Sequence, residues 1–223
     1  MQQPVLAVTD LSVRLSGAIV LDHISFKMDQ GDCLAITGHT GSGKTTLIKA
    51  LASQIYFSGQ IQFYSVQDRK PRIAVITRQH QFTNLSNISS FYYQQRFNSF
   101  DAEDAKMLED ELGRTGAGVE ELERVLIQFG LAHVRHSPLL QLSNGEHKRF
   151  QLARAILQHP DWILLDNPYT GLDLDARALL SDILMNLVKS GLHVILVTSP
   201  SEIPPVVTHT AVLEHGKLAA FLP

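Results

Sequence analysis

Gly38-His39-Thr40-Gly41-Ser42-Gly43-Lys44-Thr45 fits the phosphate-binding loop pattern G-x-x-x-x-G-K-[ST]. Its flanks agree. Cys33-Leu34-Ala35-Ile36 reads as a buried strand running in, and Thr46-Leu47-Ile48-Lys49-Ala50-Leu51-Ala52 as a helix running out. Glycines let the backbone curl until successive N–H groups converge on one point. The helix N-terminus behind them adds partial positive charge where a polyphosphate would lie. In this pattern Lys44 reaches the outer phosphates and the Thr45 hydroxyl is a ligand for Mg2+. A chance match in a glycine-containing turn is the competing reading; a strand and a helix in register on either side count against it. The expected ligand is a nucleotide, held by the residues from Gly38 to Thr46.

Working outward, 223 residues suffice for one large domain or for a core with a subdomain. A hydrophobic fraction of 44% and a charged fraction of 18% belong to a soluble globular chain. The net charge of −3 supplies no general basic field for nucleic acid. The single cysteine, Cys33, has no partner for an internal disulfide, which points to a reducing compartment and a cytoplasmic location. Met1-Gln2-Gln3-Pro4 lacks the basic start and apolar run of a secretion signal. No apolar stretch approaches the ~20 residues that span a bilayer. Any membrane span is therefore expected on another chain.

Val5-Leu6-Ala7-Val8, Leu11-Ser12-Val13-Arg14-Leu15 and Ile24-Ser25-Phe26-Lys27-Met28 alternate as short, half-buried strands of an antiparallel sheet. Ile61-Gln62-Phe63-Tyr64 and Arg72-Ile73-Ala74-Val75-Ile76 read as further strands. Composition shifts between Asn84 and Ser137, with Phe91, Tyr92, Tyr93, Phe97 and Phe100, an acidic run from Asp101 to Glu111, and glycines from Gly113 to Gly118. This reads as a mostly helical subdomain broken by a glycine loop, its aromatics in a core, with a partner-binding face as the alternative, and its acidic run a solvated helix face. A helix from Ser143 to about His159 follows, then a strand at Trp162-Ile163-Leu164-Leu165, a helix from Leu174 to Ser190, and a strand at His193-Val194-Ile195-Leu196-Val197. Strands alternating with helices predict a parallel sheet covered on both faces. A hairpin around His215-Gly216 closes the chain.

Three further segments narrow the family. Leu142-Ser143-Asn144-Gly145-Glu146 opens a helix, Ile163-Leu164-Leu165-Asp166 ends a strand in an acid, and Pro168-Tyr169-Thr170-Gly171-Leu172-Asp173 follows. In this order they resemble the ATP-binding cassette (ABC) ATPases, over roughly Leu6 to Leu218. Within that family, Phe91-Tyr92-Tyr93-Gln94-Gln95-Arg96-Phe97-Asn98 resembles tandem-cassette proteins tied to molybdate transport or photorepair. The resemblance implies an α/β fold: a P-loop NTPase core with a mostly parallel sheet, an N-terminal antiparallel β subdomain and an inserted helical subdomain. The core would take residues 1–83 and 143–223, and the helical subdomain 84–142. It implies ATP and Mg2+, with Asp166 and Thr45 at the metal. Ser143 and the Gly145 N–H would meet the γ-phosphate held by a second cassette, in a homo- or heterodimer. Gln79 is the residue expected to link core and helical subdomain beside the metal, with Gln81 as the alternative and Arg78 in a further register. His147 is expected to face solvent or an interface.

Departures from the family pattern matter as much. Asn167 stands where the family usually carries the glutamate that activates water, and a carboxamide cannot take a proton at neutral pH. Ser199 stands where a histidine usually holds the γ-phosphate. At the first hairpin, Leu15 replaces the aromatic that stacks on adenine and gives up about 0.5–1.5 kcal/mol. Own-site hydrolysis is therefore expected to be slow or absent, with Asn167, Ser199 and Gln79 as the attenuated catalytic set. The half that would serve a partner, Ser143 to Glu146 with Asp173, is closer to intact. The expected function is the ATP-binding component of a transport system, working with membrane permease subunits and placed peripherally on the inner membrane face. The alternatives are a non-hydrolysing ATP-dependent regulatory or scaffold module, and a soluble non-transport ABC ATPase.

Overall fold

Alternation over residues 5–28 produces two 12-residue strands, β1 (Pro4–Leu15) and β2 (Ala18–Asp29), where the sequence predicted several short ones. The segments join because single residues absorb each break. Asp10 and His23 sit at φ 54° and 53°, where the antiparallel register slips, and restore the inward phase of the alternation. Their backbone N–H groups donate instead to Ser25 Oγ at 2.9 Å and Ser12 Oγ at 3.0 Å, so neither is orphaned. β4 (Ser58–Phe63) pairs on the other edge of β1 and completes the order β2-β1-β4.

The computed structural model describes residues 4–64, 69–77 and 106–223, and residues 81–83 and 89–91 by backbone alone. The chain divides into two units. The first comprises Met1–Ile76, Pro160–Tyr169 and Leu184–Pro223; the second comprises Thr77–His159 and Thr170–Ile183.

The first unit holds the antiparallel sheet and a six-stranded sheet. The latter contains β3 (Cys33–Gly38), β5 (Ile73–Ile76), β8 (Trp162–Asp166), β9 (His193–Val197), β10 (His209–Glu214) and β11 (Lys217–Leu222). Its order is β11-β10-β3-β9-β8-β5, parallel except for the β10–β11 hairpin. β8 is buried along its whole length, as a continuous apolar run in a covered parallel sheet must be. α1 (Lys44–Leu51) buries Leu47, Ile48, Ala50 and Leu51 in one core with Ile36, Leu164, Ile195 and Val197, and with Leu6, Leu11, Ile24 and Met28 of the antiparallel sheet. Each fully buried Leu or Ile contributes about 1.5–3 kcal/mol. Phe63 meets Trp162 edge-on at 5.1 Å, and Phe26 stacks on Phe221 at 5.9 Å.

The second unit begins with the short antiparallel pair β6 (Gln81–Thr83) and β7 (Ser89–Phe91), so strands precede its helices. Phe91 lies in β7; Tyr92, Tyr93, Phe97 and Phe100 fall outside the described residues. Then come α2 (Leu108–Gly113), α3 (Val119–Gln128) and α4 (Asn144–Ile156), with the expected glycine loop between α2 and α3. α5 (Leu174–Lys189) matches its predicted span to one residue. The end of the acidic run is not solvated: Glu111 is buried, ion-paired with Arg114 and with Lys106 at 3.6 Å. Two cations at one carboxylate offset its desolvation, and charge count alone could not reveal them.

Gly59 marks a close backbone approach between β4 and β1. It sits at φ 91°, and a Cβ there would lie 2.3 Å from the Asp10 carbonyl oxygen. Gly59→Ala is expected to destabilise the chain by at least about 2 kcal/mol, left-handed strain and backbone overlap together. Urea unfolding measures it, and an unchanged midpoint would refute the assignment.

Candidate functional site

The site is built at the carboxyl edge of three adjacent parallel strands. Ile36 of β3 pairs with Val197 of β9, and Val197 pairs with Asp166 of β8, so these residues form one row across the sheet. The ladder continues one step further. Thr198 N–H donates to Ile36 O at 3.1 Å, and Asn167 N–H donates to Val197 O at 3.0 Å.

From β3 the chain turns through Gly38 to Gly43 into α1. Gly38 has φ 137°, and a Cβ there would lie 2.1 Å from Leu213 O. Gly43, the residue capping α1, has φ 102°, and its Cβ would lie 2.6 Å from Leu21 Cδ2. Only glycine fits at either end of the loop. Ser42 N–H donates to His39 O at 3.1 Å and closes the turn. Lys44 Nζ donates to Gly38 O and His39 O, each at 2.7 Å, which folds its side chain back over the loop. Burial pushes the Lys44 ammonium below its ordinary value, against the opposing pull of Asp166. Thr46 lies in the first turn of α1, half-buried.

Two features bear on whether a Mg-nucleotide fits. Ser42 Oγ is buried with no hydrogen-bond partner among the described residues. An orphaned hydroxyl costs about 1–3 kcal/mol, which an acceptor from a bound phosphate would relieve. It lines a cavity of about 200 Å3 with His39, Thr40, Gly41, Glu214 and His215. The second feature is an oxygen pair suited to a hard cation: Thr45 Oγ1 donates to Asp166 Oδ2 at 2.8 Å, and Asp166 is 5% exposed. The residues present fit the group.

The other expected residues of this unit are distributed as follows. Asn167 follows Asp166 at φ 52°, and its Nδ2 donates to Asp166 Oδ1 at 2.7 Å. Ser199 follows β9, but its hydroxyl donates to Glu202 Oε2 at 3.0 Å and lies 3.2 Å from Ser201 Oγ. It is engaged with its own turn, Pro200–Glu202. Leu15 is 43% exposed at the tip of the first hairpin, beside a turn formed by Ser16 and Gly17 at φ 50° and 84°. Of the two glutamines that belong to the second unit, Gln79 lies outside the described residues and Gln81 lies in β6. Cys33 is buried at the start of β3, its thiol pushed up to about 12, which leaves it inert.

Ser143 and Gly145 belong to the second unit, at the N-terminus of α4. Ser143 caps that helix in a reciprocal box: its Oγ accepts from Glu146 N–H at 3.2 Å, and its N–H donates to Glu146 Oε2 at 2.8 Å. Glu146 Oε1 meets His133 Nε2 at 2.9 Å, a contact across 13 residues that no motif announces. A Cβ on Gly145 would lie 3.1 Å from Ala176 Cβ, and Asn144 Nδ2 donates to Gly171 O at 3.4 Å. Asp173 Oδ1 accepts from Ala176 N–H at 2.8 Å and starts α5. His147 is buried and tilted against Phe150 at 6.1 Å, contrary to the expectation of an exposed side chain. Its place at i−3 from Phe150 turns it to the apolar side of the helix.

A family model described as ABC transporter matches residues 21–170. The chain is 28% identical over 196 residues to the zinc import ATP-binding protein ZnuC of Wolbachia pipientis wMel, covering 87% of this chain and 73% of that one. It is 30% identical over 220 residues to the ABC transporter ATP-binding protein ModF of Escherichia coli, covering 92% of this chain but 41% of ModF. Among solved structures, cbiO1 from Clostridium perfringens, part of the ABC transporter complex cbiONQ, has a TM-score of 0.74 at 24% identity, over 99% of this chain and 89% of that one. At that identity the likeness speaks to the fold. No helix among the described residues is long and apolar enough to cross a membrane.

The cap of α4 gives a pH-dependent prediction. Burial alone would raise the Glu146 carboxyl, but its bonds with Ser143 and His133 outweigh that and hold it below the ordinary value. A depressed carboxyl stabilises the fold above the ordinary value of about 4.3 and loses that contribution as pH falls through the folded value. Glu146→Ala is expected to cost about 1 kcal/mol at pH 7. The deficit should narrow in acid, and urea melts at both pH values check it.

Proposed function

The chain belongs to the ABC transporter family of ATP-binding proteins, and from that premise we propose that it holds Mg-ATP with slow or absent turnover of its own. Members of this family bind ATP, generally with Mg2+, and work as dimers alongside membrane permeases. The reading for this chain is the ATP-binding component of a transport system, paired head-to-tail with a second cassette. It takes membrane permease subunits as further partners, and a cytoplasmic position peripheral to the inner membrane face.

The observation that carries the proposal is the contrast between an intact holding apparatus and a deficient reacting one. The phosphate loop, Lys44 and the Thr45–Asp166 pair sit together in one unit. Bound Mg-ATP supplies a polarised γ-phosphate for attack by water. The chain's own part is to converge N–H groups from Gly38 to Thr46 on the phosphates and to hold the metal side with Thr45 and Asp166. Leu15 would pack against the base. Asn167 has no acid to accept the proton of water, and a lost general base costs roughly 10²–10⁴ in rate. Ser199 spends its hydroxyl on Glu202.

Ser143 and the Gly145 N–H are proposed to serve the ATP of the partner. Because Ser143 Oγ accepts from Glu146 N–H, its own proton remains available for an anion. A pair of identical copies would then be slow at both sites, and a heterodimer fast at one. The missing base and the engaged Ser199 also support a second reading, a regulatory or scaffold module that pairs on ATP without turnover.

Two measurements test this. The purified chain should bind ATP and lose that binding in Lys44→Ala, while hydrolysing no faster than that variant. Turnover of about one per second, within the ordinary enzyme range and abolished in Lys44→Ala, would overturn the attenuated reading. Equimolar mixing with a cognate second cassette should raise the rate; no gain would exclude the asymmetric pair and leave the scaffold reading.

A further inference from the structure

We infer that Asn167 is a positioning residue for Asp166, so that the exchange of an acid for an amide here serves cation retention and is more than the loss of a base. The inference deepens the reading of a Mg-ATP-holding site and rests on it. Asp166 takes one donor on each oxygen, the Thr45 hydroxyl on Oδ2 at 2.8 Å and the Asn167 amide on Oδ1 at 2.7 Å. A carboxylate only accepts, so the amide nitrogen must face it, which settles the orientation of the Asn167 side chain. Two of about four acceptor positions on Asp166 are used, and the rest remain for a hard cation. Held from both sides and 5% exposed, the carboxylate has one orientation.

The backbone explains why asparagine suits the position. Asn167 sits at φ 52°, with its N–H fixed on Val197 O at 3.0 Å. Asparagine is among the few residues with a side chain that tolerate the left-handed region. Its amide is neutral and just long enough to reach the preceding side chain. A glutamate would bring a like charge to the same neighbourhood and no donor. An alanine would supply no donor and add strain. One N–H of the Asn167 amide is therefore committed to Asp166, which leaves its second N–H and its carbonyl oxygen for water.

The test separates cation retention from folding. Asn167→Gly removes the amide and relieves the left-handed backbone; Asn167→Ala removes the amide and strains it. ATP affinity is measured by calorimetry in EDTA and across a MgCl2 titration, with thermal melting alongside. The expected result is that both variants bind ATP in EDTA within two-fold of the parent and need about ten-fold more Mg2+ for its effect, the scale of one hydrogen bond to a charged group. Their melting temperatures should differ, with alanine lower. An unchanged Mg2+ requirement, or a loss that follows melting temperature across the two variants, would overturn the positioning role. A parent chain that binds ATP with no response to Mg2+ would instead remove the reading beneath it.

Discussion

The register of β3, β9 and β8 is what the first unit's chemistry depends on. Because Ile36, Val197 and Asp166 lie in one row, the three chains leave the sheet at the same level. The phosphate loop leaves from the first, Ser199 from the second and Asn167 from the third. A shift of one residue in any pairing would turn Asp166 to the other face and separate it from Thr45. What fixes the register is burial on both faces, where slipped apolar side chains would have nowhere to pack. The site is thus held by the core under it and needs few contacts of its own.

On that frame, charge is distributed economically. Lys44 is half-buried and donates to two carbonyls of the loop, and Asp166 is buried and takes one donor on each oxygen. The glycines at either end of the loop admit no side chain, so the backbone itself faces the ligand. In the second unit the same logic recurs at the start of α4. There Ser143 and Glu146 satisfy each other's backbone N–H groups, and His133 steadies the carboxylate.

Departures from the family pattern are structurally accommodated. Asn167 bonds to its neighbour, and Ser199 bonds within the Pro200–Glu202 turn. Serine before Pro200 is a favourable start for a short helical turn, with Glu202 three residues on to receive its hydroxyl.

The sequence by itself determined the phosphate loop, the strand into it and the helix out of it, because glycine spacing and apolar runs are local properties with a local physical cause. It likewise determined the acid-tipped strand β8, the opening of α4 at Ser143, and the parallel character of the sheet. Tertiary structure alone decided the strand order β11-β10-β3-β9-β8-β5, since nothing in a run of apolar residues names its neighbour. It also decided that β1 and β2 run on through Asp10 and His23, where side-chain hydroxyls from the facing strand supply the missing bonds. The same holds for His147 and Glu111, a histidine and an acid that composition places outside and packing places inside. Partners such as His133 for Glu146, or Thr45 for Asp166 across 121 residues, meet only when the chain is folded, and there the sequence pattern has no reach.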